Sequence, residues 1–248
     1  MNFIKGFKIA IIGYMKIASR ERLDYLLATL KSFSFITDKQ IILCIEDITP
    51  EIYHAFNDLH FRNDIVIVNA PPLSYGEVYS TFLEATNDCD FVINLMEDHF
   101  CILNDEFYLN RCLAKMKKYN ASIMKATFHQ IEMNSIKTVQ PLYEDEDIFI
   151  YDNNLSNHTE FQKYYGSRFY IGCNFITTHD FARKFWGRSL GARPHEYEFP
   201  AYSEEWRHIC AIPKKEILAA IDDPHGEDGT DLLSRNEPKF LELYQPSL

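Results

Sequence analysis

The chain has 248 residues, a formal net charge of −11 and a hydrophobic fraction of 46%. This length is enough for one large domain with a substantial core. The negative charge argues against a nucleic-acid partner, because broad nucleic-acid-binding surfaces neutralise phosphates with lysine and arginine. No apolar run approaches the length of a membrane span, so we predict no transmembrane segment.

The six cysteines show no CxxC spacing, and three of them lie inside apolar runs. This pattern indicates small buried hydrophobic residues in a reducing compartment, not a disulfide framework or a zinc site. Lys5 and Lys8 precede an apolar stretch near the N-terminus, but that stretch is too short for a signal peptide and favours a first strand. We therefore predict a cytoplasmic protein.

Strands and helices are predicted to alternate in the first part of the chain. The predicted strands are Lys8–Tyr14, Gln40–Ile45, Ile65–Val68 and the apolar run Phe91–Met96. An amphipathic helix capped by Ser19 follows the first strand, and a helix that begins with Pro50 follows the second. A third helix runs from Tyr75 to about Ala85. This alternation predicts a parallel sheet with right-handed crossovers.

The pattern is less regular in the second part of the chain. Asn104 or Asp105 is predicted to cap a helix with one apolar stripe. The acidic residues within Tyr143–Tyr151 predict a solvated loop or an edge hairpin. The other predicted elements are short strands near Ser122–Phe128, Arg168–Thr177 and Lys215–Ile221, and a helix over Asp180–Trp186. No internal repeat or linker is found, so we predict one domain.

Three candidate ligand residues, Glu97, Asp98 and His99, follow the central apolar run without a gap. In open α/β sheets, ligands bind beyond the carboxyl ends of the strands, so an acidic cluster there lies where a site is expected. Carboxylate oxygens with a neighbouring imidazole suit Mg²⁺ or Mn²⁺, especially where the phosphates of a substrate complete the coordination shell. An acidic turn with no ligand is the structural alternative.

The segment from Tyr75-Gly76 through Asp90-Phe-Val-Ile-Asn-Leu-Met-Glu-Asp-His resembles the nucleotide-sugar half of GT-A-type glycosyltransferases. In that fold, a helix led by glycine precedes the strand that carries an Asp-X-Asp-type metal motif. The order of elements is similar to GT-A from about Phe7 to Arg235. The resemblance implies an α/β fold with one GT-A-like domain, 1–248, whose mainly parallel central sheet is flanked by helices. It divides the chain into a nucleotide-sugar half, about 1–100, and an acceptor half, about 101–248.

The resemblance also implies a metal-dependent transfer of a sugar from a nucleotide diphosphate sugar, with a UDP-sugar as the expected donor. The acceptor is a hydroxyl group of a saccharide or of another molecule. Glu97 is then expected near the ribose, while Asp98 or His99 faces a Mn²⁺ or Mg²⁺ ion. The family usually has an aspartate at the position of His99, which leaves open which residue ligates the metal. His225 is the implied second ligand or a diphosphate contact, and a solvent-facing histidine is the alternative.

The acid pair Glu204-Glu205 resembles the pair that supplies the catalytic base in this family. Inverting transfer needs a carboxylate that takes the proton of the acceptor hydroxyl, and Glu205 occupies the second position of the pair. The adjacent Trp206 would raise the pKa of a carboxylate by desolvation and give the sugar an apolar face. The alternative is a helix start, with Ser203 as the cap and acids in the first turn.

Further donor contacts are implied by the same resemblance. Asp47, at the end of the second strand, is expected to accept a hydrogen bond from a uracil-type imide. Ser19, Arg20 and Tyr75 are expected to frame the base and the phosphates, with Gly76 at the start of the third helix. Each of these residues also suits a cap or a turn.

Two alternatives to a transferase stay open. A sugar-phosphate nucleotidyltransferase would share the sheet and the metal, but it normally has a Gly-rich basic loop after the first strand, which Gly13-Tyr14-Met15-Lys16 does not resemble. A non-catalytic relative that binds a sugar nucleotide is the second alternative, because His99 replaces the usual aspartate. The sequence has no P-loop lysine motif and no GxGxxG.

Overall fold

A computed structural model describes residues 6–59, 64–69, 75–126, 140–152, 175–186, 209–221 and 232–246. The strands are β1 (Ile9–Lys16), β2 (Lys39–Glu46), β3 (Ile65–Asn69), β4 (Phe91–Asn94), β5 (His99–Cys101), β6 (Ala121–Lys125), β7 (Tyr143–Glu144), β8 (Ile148–Asp152), β9 (Phe175–Thr178), β10 (Ile209–Pro213) and β11 (Leu218–Ala220). The helices are α1 (Arg20–Ser32), α2 (Pro50–Ala55), α3 (Tyr75–Ala85), α4 (Glu106–Lys118), α5 (His179–Trp186), α6 (Leu232–Arg235) and α7 (Pro238–Leu243). A 3₁₀ turn, Phe56–Asp58, follows α2.

The large sheet is mixed, with a parallel first half. In the described part of the chain it contains nine strands in the order β3-β2-β1-β4-β9-β6-β10-β8-β7. β1 pairs in parallel with β2 and with β4, and β2 pairs in parallel with β3, as the alternation of strands and helices predicted. β9 and β8 run antiparallel to their neighbours. The fold is therefore α/β, with a mostly parallel central sheet flanked by helices.

Burial explains why the first strands lack polar alternation. β1 lies between β2 and β4, and seven of its eight residues are buried. All four residues of β4 are buried as well. A strand that is covered on both faces is apolar on both faces, which is the pattern that the run Phe91–Met96 shows.

Polar caps set the starts of the helices. Ser19 Oγ accepts a hydrogen bond from the backbone N–H of Arg22 at 3.2 Å, as predicted. Asp105 is the cap of α4, since its Oδ1 accepts from Tyr108 N–H at 2.8 Å. The predicted apolar stripe of α4 is buried and consists of Leu109, Cys112, Leu113 and Met116. Within the described residues, none of the helices is both long and apolar enough to cross a membrane.

A second sheet of two strands joins distant parts of the chain. β5 and β11 pair antiparallel, with His99 opposite Ala220. The late strand was predicted over Lys215–Ile221 and is observed as β11. Neither β5 nor β10 was predicted. Glu97 and Asp98 lie in a turn, and His99 begins β5. Of the predicted strand Arg168–Thr177, only the part within β9 lies inside the described residues.

Helix α7 connects β5 to α1 through side-chain contacts. The ammonium group of Lys239 donates to the carbonyls of Cys101 and Leu103, each at 2.7 Å, and to that of Ser32 at 3.3 Å. The neighbouring Phe240 packs edge-on against Phe100, with ring centroids 5.5 Å apart. Burial lowers the pKa of Lys239. These contacts hold the strand that begins with His99 in place.

The cysteines behave as small buried hydrophobic residues, as predicted. The five that the structure describes are free and buried: Cys44, Cys89, Cys101, Cys112 and Cys210. Burial raises the pKa of Cys44 to about 11 and that of Cys101 to about 12, so both thiols stay protonated near neutral pH. Cys173 lies outside the described residues.

The acidic stretch near residue 145 forms an edge hairpin, β7–β8, which was one of the two predicted alternatives. Its Asp147 is not solvated, because the side chain is only 3% exposed. Arg111 donates to both carboxylate oxygens of Asp147 at 2.7 Å, and Lys115 donates at 2.7 Å. The hydrogen bonds from Arg111 hold the pKa of Asp147 below its usual range. The ion pairs of Asp147 with Arg111 and Lys115 therefore connect the β7–β8 hairpin to α4.

We expect Asp147→Asn to lower the free energy of unfolding by about 2–3 kcal/mol near neutral pH, because Arg111 and Lys115 lose a buried counter-ion. The pKa of Asp147 is lowered in the folded state, so its stabilisation exists above the ordinary aspartate pKa and disappears as pH falls through the lowered value. The difference from wild type should therefore shrink in acid. Urea unfolding of wild type and variant, near neutral pH and in acid, measures this difference in the free energy of unfolding.

The matched control is Glu146→Gln, which removes the same charge from an exposed neighbour in the same hairpin. It should change the free energy of unfolding by less than about 0.5 kcal/mol. Equal losses for the two variants would contradict a specific role for Asp147.

Candidate active site

The carboxyl ends of the parallel strands meet at one edge of the large sheet. Lys16 lies opposite Glu46 across β1 and β2, and Ile12 lies opposite Asn94 across β1 and β4. β6 runs in the same direction as β4, because both are antiparallel to β9. Asp47 directly follows β2 and residues 97–99 follow β4, so the predicted donor residues leave the sheet at the same edge.

The segment between β4 and β5 is held close to β1 and α1. Leu95 N–H donates to the carbonyl of Ile12 at 2.8 Å. A Cβ atom added to Gly13 would lie 3.0 Å from the Leu95 carbonyl oxygen, so glycine permits this close approach. The hydroxyl of Thr29, in α1, donates to the Glu97 carbonyl at 2.9 Å. These contacts position the acidic cluster from its N-terminal side.

Asp98 is bound by two cationic or polar side chains. Arg22 Nη1 donates to Asp98 Oδ2 at 2.8 Å, and His99 Nδ1 lies 2.7 Å from Asp98 Oδ1. Burial alone would raise the pKa of Asp98, but the hydrogen bonds from His99 and Arg22 outweigh it, and the pKa lies below the usual range. Asp98 is therefore a fixed negative charge near neutral pH, although its side chain is only 19% exposed.

The pKa of Glu97 is shifted in the opposite direction to that of Asp98. The Oε1 atom of Glu97 lies 3.6 Å from Arg22 Nη1, which is too far for a hydrogen bond. Burial, followed by the adjacent charge of Asp98, raises the pKa of Glu97. Two adjacent carboxylates therefore differ in how readily they ionise, a pattern that occurs at functional sites and in structural ion pairs alike.

β11 brings the chain that precedes His225 directly beside Asp98. Ile221 N–H donates to the Asp98 carbonyl at 2.8 Å, and Ala220 pairs with His99. His225 is four residues beyond Ile221 and lies outside the described residues. The predicted acid pair, Glu204 and Glu205, also lies outside them.

Ser19 and Arg20 have structural contacts at the start of α1. Ser19 is the helix cap described above. The guanidinium of Arg20 hydrogen-bonds to the carboxylate of Glu51, and its Nε lies 3.6 Å from Asp24 Oδ1. Both residues lie just after the carboxyl end of β1, and their contacts with a donor stay a prediction.

Asp47 presents its carboxylate at the sheet edge. Its side chain is 81% exposed, and Lys16 Nζ lies 3.1 Å from its Oδ2. An exposed ion pair of this kind contributes little, so the carboxylate remains accessible to a ligand. Asp47 has a φ of 52°, a left-handed conformation that aspartate tolerates better than most residues. Gly76 is buried in the first turn of α3, and Tyr75 begins that helix, although its side chain lies outside the described part.

Three polar residues at this edge were not predicted. Arg22 lies in the first turn of α1 and gives no local signal beyond its charge. Asn94 is buried at the end of β4 and accepts a hydrogen bond from the hydroxyl of Tyr79. Lys125 is buried at the end of β6, which is unusual for lysine. The position of Lys125 directly after the apolar pair Ile123-Met124 is the one signal that the sequence offered.

The chemistry of the side chains of residues 97–99 suits a hard divalent cation, since Glu97 and Asp98 supply carboxylate oxygens and His99 supplies an imidazole. Both oxygens of Asp98 already have hydrogen-bonding partners. Among the residues described, no group of three or more His, Cys, Asp or Glu side chains is arranged to hold a metal. A cation at Asp98 would therefore need further ligands from the phosphates of a donor or from elsewhere in the chain.

A pocket of about 550 Å³ lies at the opposite edge of the sheet. Its lining includes Asp90 before β4, Asn120 before β6, and His179 and Asp180 at the start of α5. Lys117 also lines it and pairs with Asp90. The pocket lies at the amino end of β4, away from Asp98. We place the candidate site at the carboxyl edge, because the polar cluster of Arg22 and residues 97–99 is there.

Solved glycosyltransferase structures resemble this chain. The structure of S. aureus TarS 1–349 has a TM-score of 0.53 and 11% identity, and the match covers 86% of this chain and 60% of that one. The same protein in complex with UDP-GlcNAc has a TM-score of 0.51 and 12% identity, covering 86% and 58%. A longer TarS structure has a TM-score of 0.50 and 12% identity, covering 88% and 37%.

The chain has a GT-A-like glycosyltransferase fold. The predicted fold class and the resemblance to GT-A-type glycosyltransferases are thereby confirmed at the level of the fold. The chain spans about 60% of the length of TarS 1–349. No protein-family model matches the chain, and no curated protein sequence matches it.

Proposed function

We propose that this protein transfers a sugar from a nucleotide diphosphate sugar, with a UDP-sugar as the expected donor, to a hydroxyl of a saccharide or another acceptor. The observation that carries the proposal is the position of Asp98. It is an ionised, partly buried carboxylate just beyond β4, at the carboxyl edge of a GT-A-like sheet. The UDP-GlcNAc complex of TarS, which shares the fold, supports a nucleotide sugar as the ligand class.

The donor would lie across the carboxyl ends of β1, β2 and β4. Asp47 offers an exposed carboxylate that can accept a hydrogen bond from a uracil imide. Ser19, Arg20 and Tyr75, with Gly76 at the start of α3, would line the base and the phosphates. We place residues about 1–100 on the donor side and about 101–248 on the acceptor side of one domain. The buried free cysteines support a reducing compartment, the cytoplasm.

Asp98 and His99 are the proposed protein ligands of a Mn²⁺ or Mg²⁺ ion, with Glu97 beside the ribose. A divalent cation at this position would neutralise the leaving nucleoside diphosphate as a Lewis acid. His225 is the proposed second ligand. The backbone N–H of Ile221 hydrogen-bonds to the Asp98 carbonyl. Four residues separate Ile221 from His225, and four residues span at most about 13–14 Å. This chain length allows His225 to reach the site.

Glu205 is the proposed base, with Glu204 as its chemically equivalent neighbour. A carboxylate close to the acceptor hydroxyl takes its proton as the oxygen attacks the anomeric carbon. The bond to the diphosphate breaks on the opposite side of that carbon, so a single displacement inverts the configuration. The order of the motif in the sequence supports this assignment.

A non-catalytic protein that binds a sugar nucleotide is a second candidate. The observation that favours it is that Arg22 and His99 both hydrogen-bond to Asp98, the residue that would otherwise face the metal. Turnover of a donor separates the two candidates, because a binding protein releases the donor unchanged.

Chelation tests the role of the metal. We expect excess EDTA to abolish transfer and added Mn²⁺ to restore it. Asp98→Ala should weaken UDP binding by at least about tenfold in the presence of Mn²⁺, since even outer-shell changes have effects of that size, and should have little effect in EDTA. Calorimetry measures both conditions. Asp180→Ala, which removes an exposed aspartate in α5, is the matched control. Full activity in excess EDTA would contradict a metal requirement.

Glutamine variants test the base. We expect Glu205→Gln to retain donor binding and to lower turnover by about a hundredfold or more, which is the effect of losing a general base. Glu204→Gln is the matched control and should be less damaging. Product NMR should show an inverted anomeric configuration. A product with retained configuration would remove the need for a base at Glu205, and equal losses in the two variants would contradict its assignment.

A further inference from the structure

We propose that Arg22 exchanges partners during donor binding. Without a divalent cation it pairs with Asp98, and when a cation binds Asp98 it moves to the diphosphate of the donor. This inference rests on the proposed function, because it assumes that a cation and a nucleoside diphosphate bind beside Asp98. It assigns to Arg22 a binding role that the sequence did not predict.

The contacts of Arg22 define the first state. Its Nη1 donates to Asp98 Oδ2 at 2.8 Å and lies 3.6 Å from Glu97 Oε1. The guanidinium carbon lies 5.8 Å from the ring centroid of Tyr25, in the next turn of α1. Arg22 thus occupies the side of the acidic pair that faces α1, and its positive charge compensates the partly buried Asp98 carboxylate.

A cation at Asp98 disfavours this arrangement. A guanidinium and a divalent ion that share one carboxylate are close enough to repel each other strongly in a partly buried site. His99 already lies at the other oxygen, Oδ1, at 2.7 Å. Arg22 is therefore the group that has to leave.

The backbone of Arg22 can stay in place while its side chain changes partner. Its N–H is anchored by the Ser19 cap, so only the side chain has to move. That side chain is already 35% exposed, and its three methylene groups let the guanidinium move. The planar guanidinium binds phosphate oxygens in pairs, and the phosphates of the donor would lie next to the cation whose shell they complete.

If Arg22 exchanges partners, its removal should change cation affinity and nucleoside diphosphate affinity in opposite directions. Removing Arg22 takes away a competing charge, so the free protein should bind a divalent cation more tightly. It also takes away a phosphate ligand, so the protein loaded with cation should bind a nucleoside diphosphate more weakly. If Arg22 served only to hold Asp98 in place, its loss would weaken both binding steps.

Arg22→Gln tests this by two titrations. We expect Mn²⁺ binding without nucleotide, followed by electron paramagnetic resonance, to tighten by about tenfold, which corresponds to one partly exposed charged hydrogen bond. UDP binding at saturating Mn²⁺, followed by calorimetry, should weaken by about tenfold for the same reason. Arg183→Gln, in an exposed part of α5, is the matched control and should change neither affinity.

A second variant guards against loss of folding. Arg22→Lys keeps the charge but loses the paired donors, so Mn²⁺ affinity should stay near that of wild type while UDP affinity falls severalfold. Weakening of both steps in Arg22→Gln, or no change in either, would overturn the exchange. A wild-type protein that binds neither Mn²⁺ nor UDP would instead overturn the proposed function on which it rests.

Discussion

The Asp98 carboxylate, held between the guanidinium of Arg22 and the imidazole of His99, is the contact on which the candidate site depends. A carboxylate this far from solvent is costly unless charged or polar groups compensate it. Each compensating group comes from a different element: α1 supplies Arg22, and β5 begins with His99. The backbone carbonyl of Asp98 binds Ile221 after β11. One residue therefore joins the parallel half of the fold to the late part of the chain.

Several contacts with backbone groups support this arrangement. Gly13 lets the segment after β4 approach β1 closely, and Thr29 fixes the Glu97 carbonyl from α1. At the other end of β5, Lys239 binds the carbonyls of Cys101 and Leu103. A binding geometry needs such supporting contacts, because side chains on a short strand are otherwise free to shift. The C-terminal helix is in this sense part of the site.

The sequence predicts the long, strongly apolar elements well and the non-local polar contacts poorly. β1, β2 and β4 were predicted because their burial on both faces leaves a continuous apolar signal. β3 is an edge strand with several exposed residues, and only its run of isoleucine and valine predicted it. β5 has three residues, too few for a periodic pattern, and it exists because β11 pairs with it. Arg22 and Asp98 are 76 residues apart, and Asp147 and Arg111 are 36 apart, so each pair meets only in the folded chain. An arginine in a first turn and an acid in a polar hairpin look like ordinary surface residues until their partners are known.

A crystal structure of the protein with UDP and Mn²⁺ would show whether the carboxyl edge of β1, β2 and β4 binds a nucleoside diphosphate. We expect electron density for the uracil beside Asp47 and for the diphosphate beside Asp98. Nucleotide density in the pocket lined by Asp90, Lys117 and His179, at the opposite edge of the sheet, would contradict the account, as would no nucleotide density at the carboxyl edge.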